Sequence, residues 1–225
     1  MAINNKEFVE LEFSGYANGE LFDSTKLDEI KKLNPRMQNA KPMIISVGQG
    51  MILPAFDKAI EGKELGKEYQ IEIKAKDAFG ERRRELVKMI PLSAFEGQRV
   101  MPQAGMSLML DNNLVKVLSV SGGRVTLDFN NPLAGKDIKY NFKIVRIVND
   151  EKEKTTALFD VMFRFVPKFE IKDKIVITGH KMLEHYAKSF SPKFKELVGK
   201  ELDFVEEKQE KKEDKAQKSE EKKNN

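Results

Sequence analysis

KPMIISVGQGMILPAFDKAIEGKELGKEYQIEI, residues 41–73, sets one short helix between two strands. MIISVG and EYQIEI are rich in β-branched and aromatic residues and read as strands. Between them Pro54 stands at the first helical position, Ala55–Glu61 follow it, and Gly62 stops the helix. Outward from this core, VELEF near the start and IKYNFKIVRIV at 138–148 read as further strands. The first 150 residues are therefore expected to be mostly sheet around one helix. Arg82–Asn131 carries a separate β pattern. ELVKMIP is a strand and PLSAFEG a turn, while SLMLDNNLVKVLSV is a hairpin turning at Asp111-Asn112-Asn113. Ser121-Gly122-Gly123 turns the chain into RVTLDF.

Beyond residue 148 the pattern changes. NDEKEKT (149–155) reads as a charged linker. TTALFDVMFRFVP alternates and is expected to be a strand offering Leu158, Val161, Phe163 and Phe165 to a core. KFEIKDKIVITG is expected as a second strand, Gly179–Ser189 as a helix, and Ser191-Pro192 as the start of a short helix closed by Gly199. ELDFVE reads as a third strand. A unit of about 50 residues is marginal for a lone core, so its apolar face is expected to pack elsewhere, and a homodimer through this domain is expected. Residues 206–225 hold seven Lys against seven Asp or Glu, with Ala216 as the lone apolar residue. Such a tail has nothing to bury and is expected to be disordered or a frayed helix.

Composition removes many chemistries. The 225-residue chain has no cysteine, so thiolate metal sites, disulfides and a Cys nucleophile are impossible. Its two histidines, His180 and His185, are five apart and do not share a metal-binding helix face. No metal and no cofactor is expected. GxSxG, HExxH and P-loop motifs are absent. A formal charge of +4 does not demand a nucleic-acid partner, although Arg82-Arg83-Arg84 with Lys88 forms a short basic cluster. With no run of about 18 apolar residues, no membrane helix is expected. MAINNKEFVELEF lacks the pattern of a secretory signal, so a cytoplasmic protein is expected.

Four segments carry a resemblance: EFSGYANGELFDST (12–25), the 41–73 stretch, KDAFGE (76–81) and DFNNPLAGKDIKYNFKIVRI (128–147). In this order they resemble FKBP-type peptidyl-prolyl cis–trans isomerases. The closest branch is SlyD-like, with an insert-in-flap domain, and the long archaeal form with a further C-terminal domain fits the length. The resemblance covers residues 6–148. It implies a strand-rich α+β protein: an FKBP fold, meaning a bent antiparallel sheet wrapped on one short helix, at 1–83 and 130–150. A small β insert follows at 84–129, an α+β domain at 155–206 and the charged tail at 207–225.

The same resemblance implies a pocket. Phe13 and Phe22 are walls, Asp23 a polar anchor, Ile52 and Leu53 the helix entrance with the Leu53 N–H as donor to a substrate carbonyl, Phe56 the floor, Phe79 and Tyr140 further walls, and Met43 a substrate contact. Phe13 and Phe79 stand where Tyr is common, Phe56 where Trp is frequent, and Asn131 where His is usual. One lost hydroxyl bond is worth roughly 0.5–1.5 kcal/mol, enough to lower activity up to about tenfold without abolishing it. The His-rich tail of bacterial SlyD is missing, so nickel chemistry is not carried over.

Bond rotation asks for no proton transfer, so the missing acid–base set is consistent with such a site. Substrates would be unfolded or partly folded polypeptides containing proline. In this branch the insert binds unfolded chain, and here it holds Met89, Ile90, Phe95, Met101, Met106, Leu108 and Met109. Methionine is flexible and polarisable and suits surfaces that accept many partners. About half of these residues are expected to fill the insert's own core. The alternative is a holdase chaperone with a weak or inactive isomerase pocket.

Overall fold

The computed structural model describes residues 2–36, 42–96 and 101–207. The chain divides into two compact units, Met1–Ile147 and Val148–Asn225.

In the first unit the chain runs β1 (Phe8–Ala17), β2 (Glu20–Ser24), α1 (Leu27–Leu33), β3 (Met43–Ser46), α2 (Pro54–Ile60) and β4 (Glu68–Ile73). It then enters the insert as β5 (Val87–Pro91), β6 (Ser107–Leu110), β7 (Asn113–Ser121) and β8 (Arg124–Asp128), and returns as β9 (Ile138–Ile147). The main sheet is ordered β2-β1-β9-β4, with β3 also paired to β1. Strand period decides its faces. Val9, Leu11 and Phe13 on β1, and Ile138, Tyr140, Phe142 and Ile144 on β9, are buried. Glu10, Glu12, Lys139 and Lys143 alternate with them. Phe56 and Ile60 of α2 close the core, and Phe56 stacks on Tyr140.

The insert is an antiparallel sheet ordered β5-β8-β7-β6. Its core is Phe95, Val115, Val117, Val125 and Leu127, with Ile90, Met106 and Leu108 packed against it. Both turns lie where turn chemistry put them, and Asp111 and Asn112 have positive φ. The two chain crossings into the insert are tied together. Arg82 pairs with Asp128, the Arg83 N–H donates to Asn130 Oδ1 at 2.9 Å, and Asn130 Nδ2 donates to the Arg83 carbonyl at 2.9 Å. Burial lifts the Asp128 carboxyl, but hydrogen bonds from Asn130 and the Arg82 charge outweigh it and hold the group below its ordinary value.

The second unit corrects several expectations. Residues 149–163 are not a linker and a strand but the cap and body of α3 (Glu151–Phe163). Asp150 Oδ1 accepts from the Glu153 N–H at 2.8 Å, which makes the charged stretch a helix start. Thr155, Leu158, Phe159 and Phe163 are buried, a helical spacing that overrides the alternation; Phe165 is exposed instead. KFEIKDKIVITG is a hairpin of two strands, β10 (Lys168–Ile171) and β11 (Ile175–Gly179). The two expected helices are one, α4 (Met182–Val198), running through Pro192. Ser191 is not a cap: its Oγ accepts from the Leu202 N–H at 2.9 Å, at the start of β12 (Leu202–Glu206). Gly199 ends α4 with φ +87°, and β12 pairs in parallel with β11. The charged tail from Lys208 on lies outside the described residues.

Candidate active site

Five of the residues named for the pocket form one aromatic cluster. Phe56 and Tyr140 stack with centroids 4.4 Å apart and planes 10° off parallel. Phe13 meets both edge-on, at 5.9 and 5.8 Å. Phe22 meets Tyr140 at 5.9 Å and Phe79 at 6.0 Å, again edge-on. Edge-to-face and offset pairs suit the ring quadrupole and make a rigid apolar wall. Phe13, Phe56 and Tyr140 are buried, whereas Phe22 and Phe79 are half-buried and form the open side. Ile52 and Leu53 are half-buried at the entrance to α2, and Met43 is half-buried on β3 opposite Leu11.

Two local devices build this cluster. Where β1 pairs with β2, Gly15 opposes Asp23 and Tyr16 opposes Leu21, so Phe22 is the extra residue of a bulge. A bulge re-aims one side chain, and here it turns Phe22 against Tyr140 and Phe79. Gly15 supplies the space. A Cβ there would lie 2.8 Å from the Tyr140 ring and 2.9 Å from the Phe22 ring. Past the bulge Ser14 still pairs with Ser24 and the Thr25 N–H donates to the Phe13 carbonyl at 3.0 Å, and side chains reinforce this pairing. The Phe13 N–H donates to Thr25 Oγ1 at 2.8 Å, and the Ser24 hydroxyl donates to the Phe13 carbonyl at 3.1 Å. Glu29 on α1 accepts from the Ser14 and Ser24 hydroxyls. Burial raises its pKa, but those two bonds with Lys26 and Lys32 more than reverse the effect.

Electrostatics single out Tyr140. Burial, then the neighbouring Asp23 charge, push its phenol up to about 12. The hydroxyl therefore stays protonated, and no side-chain or backbone partner takes it among the described residues. Asp23 keeps an exposed edge, yet partial desolvation raises its carboxyl; a bond from the Ser24 backbone offsets this in part. At the entrance, Leu53 accepts from the Phe56 and Asp57 N–H groups at 2.9 Å each, while its own N–H has no partner among the described residues. The site thus offers an apolar cage with a phenol donor and an amide donor that no described residue occupies.

The insert residues separate into two sets. Phe95 is 3% exposed in the insert core, and Ile90, Met106 and Leu108 pack against that core, so packing accounts for them. Phe95 is thereby corrected from a chain-contact residue to a core residue. Met89, Met101 and Met109 are 60–64% exposed, and Met109 pairs across the strands with the exposed Leu114. Of the basic cluster, Arg82 is committed to Asp128. Asn131 makes a turn, its Oδ1 accepting from the Leu133 N–H at 2.8 Å. Sequence reasoning missed Gly15 and Asp57. A glycine inside a strand pattern was the available signal for the first.

Comparison with known proteins agrees with this geometry. A family profile described as FKBP-type peptidyl-prolyl cis-trans isomerase matches residues 1–96, and one described as FKBP26, IF domain, matches residues 88–133. The chain belongs to the FKBP-type peptidyl-prolyl cis-trans isomerase family. It is 29% identical over 154 residues to the short-type peptidyl-prolyl cis-trans isomerase of Methanocaldococcus jannaschii, covering 67% of this chain and 98% of that one. It is 30% identical over 112 residues to a probable FKBP-type 16 kDa peptidyl-prolyl cis-trans isomerase of Pseudomonas fluorescens, covering 47% of this chain and 73% of the relative. It is also 30% identical over 104 residues to SlyD of Escherichia coli, covering 44% of this chain and about half (53%) of SlyD. No described helix is long and apolar enough to cross a membrane.

Proposed function

We propose that the aromatic cluster accelerates rotation about Xaa-Pro bonds in polypeptides, and that the insert sheet holds non-native chain for it. The observation that carries this reading is the Phe56–Tyr140 stack, met edge-on by Phe13 and Phe22 and extended through Phe22 to Phe79, with the Tyr140 hydroxyl and the Leu53 N–H unpartnered among the described residues. A planar amide separates charge, and water solvates that separation best; the barrier is about 18–20 kcal/mol. An apolar cage withdraws the solvation from the planar states and costs the twisted state less. The Leu53 N–H anchors a substrate carbonyl, and the Tyr140 hydroxyl donates to a second acceptor. Asp23 lies close enough to add to the effect of burial on that phenol, and offers the pocket a polar edge. Each 1.4 kcal/mol of differential binding gives about a tenfold rate.

Met89, Met101, Met109 and Leu114 are separately exposed apolar side chains of the insert, Met89 and Met109 on its two edge strands, and such side chains suit varied unfolded segments. Domain roles follow: isomerase at 1–83 with 130–150, chain holding at 84–129. A cytoplasmic location suits such clients. The second unit exposes Phe165, Val166, Met182 and Tyr186, which supports a homodimer through it. A holdase without isomerisation is the second reading, favoured by the exposed methionines and the missing hydroxyls of Phe13 and Phe79.

Deleting residues 84–129 with a short join separates the two roles. Acceleration of a tetrapeptide is expected to survive, and acceleration of proline-limited protein refolding to be lost. Refolding activity unchanged by the deletion would remove the insert's role. Refolding assistance without any peptide acceleration in the wild type would favour the holdase.

A further inference from the structure

One buried carboxylate takes no part in the steps above. Asp57 lies on the first turn of α2 beside Phe56 and is 3% exposed. Burying a carboxylate is costly, and packing alone would favour an apolar residue at this position. Its two oxygens serve one loop. Oδ1 accepts from the Gly48 N–H at 2.7 Å and Oδ2 from the Gly50 N–H at 2.8 Å. Both glycines have positive φ, +74° and +69°, which turns their N–H groups toward the same acceptor. The Asp57 backbone holds the other end of this loop, its N–H donating to the Leu53 carbonyl at 2.9 Å. One residue therefore fixes both ends of Gly48–Leu53, and the loop ends on the free Leu53 amide.

We propose that Asp57 is a positioning residue for isomerisation: its carboxylate holds the Gly48–Leu53 loop so that the Leu53 N–H is set for the substrate carbonyl. This rests on the isomerase reading above. In Asp57→Asn one acceptor becomes an NH2 group facing an N–H donor, and the loop gains other arrangements. When only a fraction of molecules is competent, apparent affinity falls by that fraction while turnover of bound substrate is kept.

The test is a KM and kcat measurement on an Xaa-Pro tetrapeptide with the full chain and its Asp57→Asn variant. The expected result is a KM raised about tenfold with kcat within about twofold. Loss of folded protein alone would lower kcat per total enzyme and leave KM in place. An unmoved KM, whatever kcat does, overturns the proposal. A wild type inactive on the peptide sinks the isomerase reading and this inference with it. Should the variant not fold, amide spectra of the wild type decide. The Leu53 amide resonance is expected to shift on titration with the peptide, and a Leu53 resonance that stays put overturns the proposal.

Discussion

At Tyr140, burial and the Asp23 carboxylate act in the same direction, and the phenol titrates near 12 rather than 10.0. Between those values an unfolded chain releases this proton and the folded chain keeps it. The unfolded state then binds fewer protons, so stability falls as pH rises from about 10 to about 12. Below that range the group has no effect on pH dependence. Tyr140→Phe is expected to remove the highest-pH transition from the tyrosinate absorbance titration and to flatten the alkaline loss of stability. A variant whose titration keeps a transition near 12 would contradict the assignment. Phe22, Phe56 and Tyr140 were legible because short motifs fix their positions. Asp57 was not, because its importance lies in two backbone N–H groups that no side-chain pattern reports. Phe95 looked like any other apolar residue of the insert, and only burial separates it from Met89, Met101 and Met109.

Among the elements, α2 was readable because Pro54 and Gly62 bracket a single amphipathic turn pair. The hairpins of the insert were readable from their Asp, Asn and Gly turns. α3 was misread because Val161, Phe163 and Phe165 satisfy a period of two over a short run. Asp150 with Glu151 and Glu153 was the competing signal, a cap with an acidic first turn, and it won. α4 crosses Pro192 because Ser191 is bonded to β12 instead of capping a new helix. α1 buries none of its residues, and its Leu27, Ile30 and Leu33 make only two turns of apolar spacing, too short a signal to mark a helix. The bulge at Phe22 was equally silent in sequence, yet it is the element-level feature that aims a pocket wall.

On the scale of the molecule, the division at Ile147 and Val148 was expected a few residues later, because charged residues that cap a helix look like a linker. The exposed group Phe165, Val166, Met182 and Tyr186 gives dimerisation a direct test in the intact chain. Sedimentation is expected to show a dimer for the wild type and a monomer for Phe165→Glu with Met182→Glu; a monomeric wild type, or a dimer in both, counts against it. The central claim is that the aromatic cluster turns over prolyl bonds, and the most direct measurement is the cis-to-trans rate of a short Xaa-Pro peptide with wild type beside Tyr140→Ala. A clear acceleration by the wild type, reduced at least about tenfold in the variant, is expected from loss of the stacked wall and its donor. Equal acceleration by both proteins, or none by the wild type, would contradict it.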